Sequence, residues 1–357
     1  MENSNTGMRE LGKSGVMVPQ MGVGTMLWTS PKKEDEIMEA YMECLNNGIN
    51  FFDTAEIYGM GESERILGRC MKRDGRPAII TTKFAPPSKM MPFNKRKKVP
   101  YDSPDALLEA LEGSLSRLGV DCIDLYQMHM PPSKNSIADY MNVMAKAVRE
   151  GKIRAVGLCN FSEQEMREAH AALAAHGIPL ATTMVGYNIL RRWPETNGIF
   201  SACKELSVTL IPYAPLAEGL LTGKYRPGQK KMPLMYKAAL YFSTLNVKER
   251  SDKASLLRLI FSKPRELDKY RLEPLFQVMD EIAADHGKTL VQVALNWLIT
   301  TPDINVIPIP GMRNVQQVKG NLGALGWQLS AEERICIDKA EKESRINTSG
   351  KRRQTSS

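Results

Sequence analysis

Asp53, Tyr58, Lys83 and His129 make a set suited to acid catalysis. Asp53 ends the apolar run Phe51-Phe52-Asp53, and Tyr58 follows in Thr54-Ala55-Glu56-Ile57-Tyr58-Gly59. Lys83 stands in Thr81-Thr82-Lys83-Phe84 and His129 in Leu125-Tyr126-Gln127-Met128-His129, each again behind a β-rich apolar run. A tyrosine gives up its proton reluctantly near neutral pH, since its ordinary pKa is about 10. A lysine ammonium close by favours the tyrosinate, and a carboxylate keeps that lysine charged and oriented. Taken singly, each residue has a plain structural role as turn cap, solvated strand end, core histidine or packed ring. Four of them at or just after successive strand ends are hard to ascribe to independent accidents.

Strand and helix signals alternate along the whole chain. Strands are expected over 18–26, 49–53, 78–83, 123–127, 153–158, 181–185, 208–213 and 305–309. Helices are expected over 31–47, 63–71, 103–118, 137–150, 162–175, 195–206, 274–286, 289–300 and 315–325. Ile37, Tyr41, Cys44 and Leu45 recur at helical spacing. Ser103-Pro104-Asp105 reads as a cap with proline in the first turn, and Ser162 with Glu165 as a capping box. Short strands separated by helices imply right-handed βαβ units and a parallel sheet. Eight such units close an α/β barrel of the (β/α)₈ type, whose catalytic groups gather at the carboxyl ends of the strands. This reading gives one domain over 1–340 and a polar, disordered tail over 341–357.

With the four residues in this order, the chain resembles the aldo-keto reductases over residues 8 to about 340. The resemblance implies a nicotinamide-dependent carbonyl reductase. Tyr58 would protonate the developing alkoxide, Lys83 with Asp53 would tune it, and His129 would orient the carbonyl oxygen. It also implies a cofactor site on Gly24, Thr25, Met26 and Asp53. In Gly157-Leu158-Cys159-Asn160, Asn160 would bind the nicotinamide carboxamide beside Cys159. Tyr213 in Ile211-Pro212-Tyr213-Ala214-Pro215-Leu216 would stack on the ring, with Pro215 and Leu216 alongside. Gly219 and Lys224 in Gly219-Leu220-Leu221-Thr222-Gly223-Lys224 match the strap over the pyrophosphate. Gly311, Arg313, Gln317 and Asn321 match the loop and helix around the adenosine end. A helix amino terminus and the Arg313 fork suit a phosphate there, which favours NADP(H) over NAD. No GxGxxG follows a strand, so a Rossmann site is not supported. Trp28, Phe84 and Met130, in or beside rim loops, either line the substrate mouth or pack the barrel.

Three positions depart from the family pattern. Cys159 stands where serine is usual, Met184 where a glutamine faces the carboxamide, and Gly320 where an acidic residue precedes Asn321. A thioether cannot replace an amide's paired donor and acceptor. Cofactor binding would then be weaker, and glutamine at 184 would tighten it. If instead Cys159 and Met184 form a drier pocket, a new amide there would lack partners. The alternative function is a regulatory or redox-sensing subunit with slow turnover, as in the potassium-channel β subunits that share this fold.

Composition agrees with a globular enzyme. The 357 residues are 43% hydrophobic, and no run approaches the roughly 20 apolar residues of a membrane span. Six scattered cysteines without CxxC pairs or histidine partners argue against a metal site or a disulfide framework. With no signal or transit pattern at the start, this suggests a cytoplasmic protein. The net charge of +8 is concentrated: residues 224–271 hold thirteen Lys or Arg against four Asp or Glu, leaving 35 against 36 elsewhere. Leu256, Leu257, Leu259, Ile260 and Phe261 cluster in this basic insertion, which reads as a lid more readily than as a membrane-surface or calmodulin-target helix. Lys95-Arg96-Lys97-Lys98 reads as a solvated loop, so no nucleic-acid partner is expected. The implied partner is a small carbonyl compound, and the oligomeric state is left open.

Overall fold

The computed structural model describes residues 7–86, 103–133, 135–226, 229–230 and 272–349. A hairpin comes first, β1 (Met8–Glu10) paired antiparallel with β2 (Met17–Pro19). Seven strands then form one sheet in sequence order: β3 (Val23–Gly24), β4 (Phe51–Asp53), β5 (Ile79–Phe84), β6 (Ile123–Met128), β7 (Ile153–Cys159), β8 (Leu180–Gly186) and β9 (Thr209–Tyr213). Pairing from β3 through β8 is parallel throughout. Between the strands run α1 (Glu34–Asn46), α2 (Glu62–Asp74), α3 (Asp105–Leu118), α4 (Ile137–Arg149), α5 (Glu163–Ala174) and α6 (Ile199–Leu206).

The eighth strand position is occupied without a regular ladder. Leu210 N–H donates to Asn305 O at 2.9 Å on one side, and on the other Gly22 and Gly24 donate to Pro308 O and Pro310 O at 3.0 Å each. Isolated parallel bridges join Leu210 to Val306 and Gly24 to Gly311. Pro308 and Pro310 have no N–H to return, so this segment closes the barrel mainly through its carbonyls. The first strand is also shorter than the expected 18–26. Residues 17–19 belong to the hairpin, whose Leu11, Val16 and Val18 pack among Phe51, Leu125, Ala155, Ala181, Ile211, Ile307 and Ile309 in the barrel core. Gly12 is required in that plug: it has φ +59°, and a Cβ there would meet Ala181 O at 2.7 Å.

Helix boundaries follow local chemistry. The box between Ser162 and Glu165 forms as expected, with the serine side chain on the Glu165 amide and the glutamate on the Ser162 amide. Ser103 acts differently, since its carbonyl, not its hydroxyl, accepts the Ala106 N–H.

The chain clusters into two compact units, where the sequence reading has one domain over 1–340. The first is Met1–Val185, Pro194–Tyr213 and Thr301–Lys319, its boundary falling within α9 (Val315–Leu322). The second is Gly186–Trp193, Ala214–Thr300 and Gly320–Ser357. In it α7 (Glu273–Asp285) packs on α8 (Leu290–Ile299) and on α10 (Ala331–Ser349). Asn296 lies buried in α8, giving its amide protons to Ala324 O and Trp327 O and accepting from Leu329 N–H. α10 runs to Ser349, beyond the expected tail boundary at 341. Glu341 and Ser344 are buried on the same helix as Ile337 and Ala340, and Ser344 donates back to Ala340 O at 2.8 Å. Of the insertion, Arg226 pairs with Glu273 and with Asp280 at 2.6 Å. Leu256 to Phe261 and Lys95 to Lys98 lie outside the described residues, so the lid and loop readings stay expectations. Among the described residues no helix is long and apolar enough to cross a membrane, and no acidic, histidine and cysteine group suits a metal ion.

Candidate active site

β4 and β5 are neighbours, with Asp53 opposite Thr81, so Asp53 and Lys83 emerge at the same end of the sheet. Both are buried. The Lys83 Nζ lies 2.7 Å from Asp53 Oδ1 and 2.8 Å from Oδ2, and only Oδ2 has hydrogen-bond alignment. Nζ also donates to Thr54 O at 2.7 Å and to the Tyr58 hydroxyl at 3.4 Å. An ammonium has three protons, and these three acceptors use them all. The Tyr58 oxygen thus accepts from Lys83, leaving its own proton to give away.

Tyr58 opens a tight turn, Tyr58–Gly61, in which Gly59, Met60 and Gly61 all have positive φ. A Cβ on Gly59 would strike the Thr29 side chain at 2.7 Å, so glycine lets this turn sit against the loop after β3. The Tyr58 ring is half-buried, meets the His129 ring edge-on at 5.9 Å, and has Lys83 Nζ 5.0 Å from its centroid. His129 extends β6: its N–H donates to Phe84 O at 2.7 Å. Its Nδ1 is buried with no hydrogen-bond partner among the described residues.

These surroundings set the charges. Burial pushes Tyr58 up and Lys83 pulls it back; burial wins, leaving it at about 12. The expectation that Lys83 draws Tyr58 toward tyrosinate therefore has the right sign for that pair but not for the sum, and the phenol stays protonated. Burial is the largest influence and opposes the charge on Lys83, but Asp53, Tyr58 and Cys159 together outweigh it and the net direction is upward. Burial raises the Asp53 carboxyl, against the pull of Lys83. Burial and then the Lys83 charge push His129 down to about 3, so its ring is neutral.

Asn160, at φ +64°, follows β7 in the left-handed region that asparagine tolerates. Tyr213 donates its hydroxyl proton to Asn160 Oδ1 at 2.9 Å, and Asn160 Nδ2 donates to His129 O at 3.1 Å and to Cys159 Sγ at 3.2 Å. Asn160 thus ties β7, β9 and the His129 loop together. Cys159 serves as an acceptor here. Met184 enters through its backbone, its carbonyl taking the Asn160 N–H at 2.8 Å. Its side chain is buried with Cys159 in the barrel core. The alternation of β8 turns residue 184 into the apolar interior.

The other expected residues divide. Gly24 and Gly311 pair across the barrel closure; Thr25 is buried and Met26 is exposed. Arg313 is exposed and has no ion pair among the described residues, while its N–H goes to Gln317 Oε1 at 2.8 Å. Pro215, Leu216, Gly219, Lys224 and Asn321 belong to the second unit. There Gly219, at φ +85°, leaves the space in which Lys224 Nζ folds back. Gly320 has open space at its Cβ. Trp28 and Phe84 are both buried. Trp28 is buried 6.0 Å from Phe52 and donates to Met312 O at 2.9 Å, while Phe84 lies buried 6.0 Å from Tyr140. Met130 is half-buried beside His129. Sequence reasoning missed Thr54 and Ser63, which appear there only as a loop residue and the start of a helix.

The sequence model described as "Aldo/keto reductase family" matches residues 20–342. The chain belongs to the aldo/keto reductase family. Among its relatives, the chloroplastic pyridoxal reductase of Arabidopsis thaliana is 31% identical over 347 residues, covering 92% of this chain and 84% of that protein. The aldo-keto reductase yakc [NADP(+)] of Schizosaccharomyces pombe is 29% identical, covering 91% and 90%. Among solved structures, the glycerol dehydrogenase AKR11B4 of Gluconobacter oxydans superposes with TM-score 0.74 at 27% identity, covering 96% of this chain and 97% of that one. A thermostable aldo-keto reductase in complex with the inhibitor epalrestat gives TM-score 0.68, also at 27% identity, covering 93% and 99%. This aldo/keto reductase is accordingly an oxidoreductase on a (β/α)₈ barrel.

Proposed function

We propose that the protein reduces aldehydes or ketones with NADPH, and that Tyr58 is the proton donor. The observation that carries this reading is the Lys83 nitrogen, held at 2.7–2.8 Å by Asp53 and donating to the Tyr58 oxygen at 3.4 Å. A carbonyl oxygen near Tyr58 takes the phenol proton as charge develops on it, and the Lys83 ammonium stabilises the tyrosinate left behind. The neutral His129 ring orients that oxygen, and Met130 beside it meets the rest of the substrate. Bound NADPH supplies the hydride for the carbonyl carbon.

Asn160, fixed by Tyr213, His129 and Cys159, offers a rigid amide to a carboxamide, and the uncommitted Arg313 guanidinium suits a 2′-phosphate. The relative named with NADP(+) supports the same choice. The free cysteines suit a reducing compartment such as the cytosol. A second reading, a cofactor-binding regulatory subunit with slow turnover, is favoured by Met184, a buried thioether where the family offers an amide.

Following cofactor absorbance while the protein is mixed with NADPH and propanal, benzaldehyde or pyridoxal tests the proposal. Oxidation matched by alcohol is expected. NADPH binding without oxidation above the blank, across aldehydes and ketones, would select the regulatory reading.

A further inference from the structure

We propose that Ser63 is a positioning residue for this reaction, its hydroxyl holding Thr54 so that the Thr54 carbonyl fixes the Lys83 ammonium beside Tyr58. The proposal rests on the carbonyl-reductase reading of the same site. Ser63 is buried in the first turn of α2, directly after the turn that carries Tyr58. A serine at a helix start ordinarily caps the exposed amides. Here the cap position is Gly61, without a side-chain bond, and the serine faces inward.

Its oxygen has three neighbours: Thr25 Oγ1 at 2.8 Å, Thr25 O at 2.9 Å and Thr54 Oγ1 at 2.9 Å. A hydroxyl has one proton, so Ser63 donates to Thr25 O and accepts the proton of Thr54, while the Thr25 Oγ1 proton is divided between Ser63 and Asp53 O. Thr25 and Thr54 are as buried as Ser63. Each leads to the catalytic pair by one further bond. Thr25 donates through Oγ1 and through N–H to Asp53 O, both at 2.9 Å. Thr54 accepts from Lys83 Nζ at 2.7 Å, through the carbonyl whose orientation its anchored side chain sets.

One hydroxyl therefore joins the loop after β3, the residue after β4 and the helix that follows the Tyr58 turn. The strand ladder alone fixes the Thr54 N–H, which goes to Thr81 O at 2.9 Å, but leaves the next peptide plane to rotate. Without the Ser63 contact Lys83 loses a firm third acceptor, and its spacing to Tyr58 slackens. Misplacement of about 1 Å in a catalytic group can cost on the order of a hundredfold in rate.

The test uses Ser63→Ala together with Thr54→Val and Thr54→Ser. Thr54→Val keeps the shape and removes the hydroxyl, so it carries the test if Ser63→Ala fails to fold. Thr54→Ser keeps the hydroxyl. Turnover is expected to fall about tenfold or more in Ser63→Ala and Thr54→Val, with KM for NADPH and aldehyde unchanged to about twofold and with Thr54→Ser near wild type. A second readout does not need turnover. The ¹⁵N ammonium signal of Lys83, assigned by its loss in Lys83→Met, should be sharp in wild type and broadened by water exchange in Ser63→Ala and Thr54→Val. An unchanged ammonium signal in both variants overturns the positioning role, as does turnover within about twofold of wild type. A wild type that binds NADPH and reduces nothing sinks the function while the ammonium signal still decides the positioning.

Discussion

At the ends of β4 and β5 the buried Lys83 nitrogen meets Asp53, Thr54 O and Tyr58, while at the ends of β7 and β8 Cys159 and Met184 sit within the apolar core. The first region is a buried charge with all its protons placed. The second keeps polarity to the backbone and to Asn160. Burying a charge is tolerable only with partners, so the first region fails as a unit when one member is removed. A dry wall has the opposite weakness, since it fails when a polar group is added. Chemistry and cofactor grip should accordingly be separable by mutation.

The largest effect is expected from Lys83→Met, which leaves the Asp53 carboxylate buried alone. It should lower unfolding stability by about 3–5 kcal/mol and abolish turnover. Adding Asp53→Asn should recover much of the stability and none of the activity. A Lys83→Met protein as stable as wild type in urea titration would mean that the pair is not a buried ion pair.

Arg313→Ala probes the exposed charge on the cofactor side. A lost charge-assisted hydrogen bond of about 1.5–3 kcal/mol should weaken NADPH roughly tenfold or more and leave NADH almost untouched. Equal weakening of both cofactors in fluorescence titration would make Arg313 a support for its loop.

Met184→Gln sharpens the comparison from the dry side. The family resemblance alone suggests that glutamine tightens the cofactor. A drier pocket gives the opposite sign, because Met184 belongs to the same apolar core cluster as Cys159, Leu125 and Ile211, where an amide lacks partners. The substitution should cost about 1–3 kcal/mol of stability and leave NADPH affinity unchanged or poorer. Tighter NADPH binding at undiminished stability would refute the dry wall.

A further effect is in the pH dependence of stability. His129 is depressed to about 3 in the folded protein, against about 6.5 when unfolded. Below the unfolded value the unfolded chain takes up a proton that the native ring refuses. The contribution of His129 is therefore full above about pH 6.5 and is lost as pH falls toward 3. His129→Gln should flatten that decline in melts between those limits, and an identical slope in the mutant would place the ring in a wetter setting.

The tetrad was legible in sequence because Asp53, Lys83 and His129 stand at strand ends and Tyr58 in the turn after one, and parallel pairing brings strand ends together. The strand at 305–309 was legible as an apolar run, yet its prolines replaced the ladder with isolated bridges. The packing of Met184 with Cys159 was not, because family likeness fixes a position along a strand but not the neighbours of its side chain. Trp28 and Phe84 were ambiguous for the same reason. Ser63 was hidden because its role depends on Thr25 and Thr54, contacts that no local spacing reveals. The rise of Tyr58 to about 12 depends on how far burial outweighs Lys83, which residue types alone cannot rank.

The central claim is that Tyr58 gives the proton. Tyr58→Phe removes only the hydroxyl, so single-turnover oxidation of NADPH by an aldehyde, paired with NADPH titration, tests it most directly. Turnover should fall by about a hundredfold or more, the usual range for a lost general acid, with NADPH affinity nearly unchanged. Retention of more than about half the wild-type rate with cofactor bound would contradict the account.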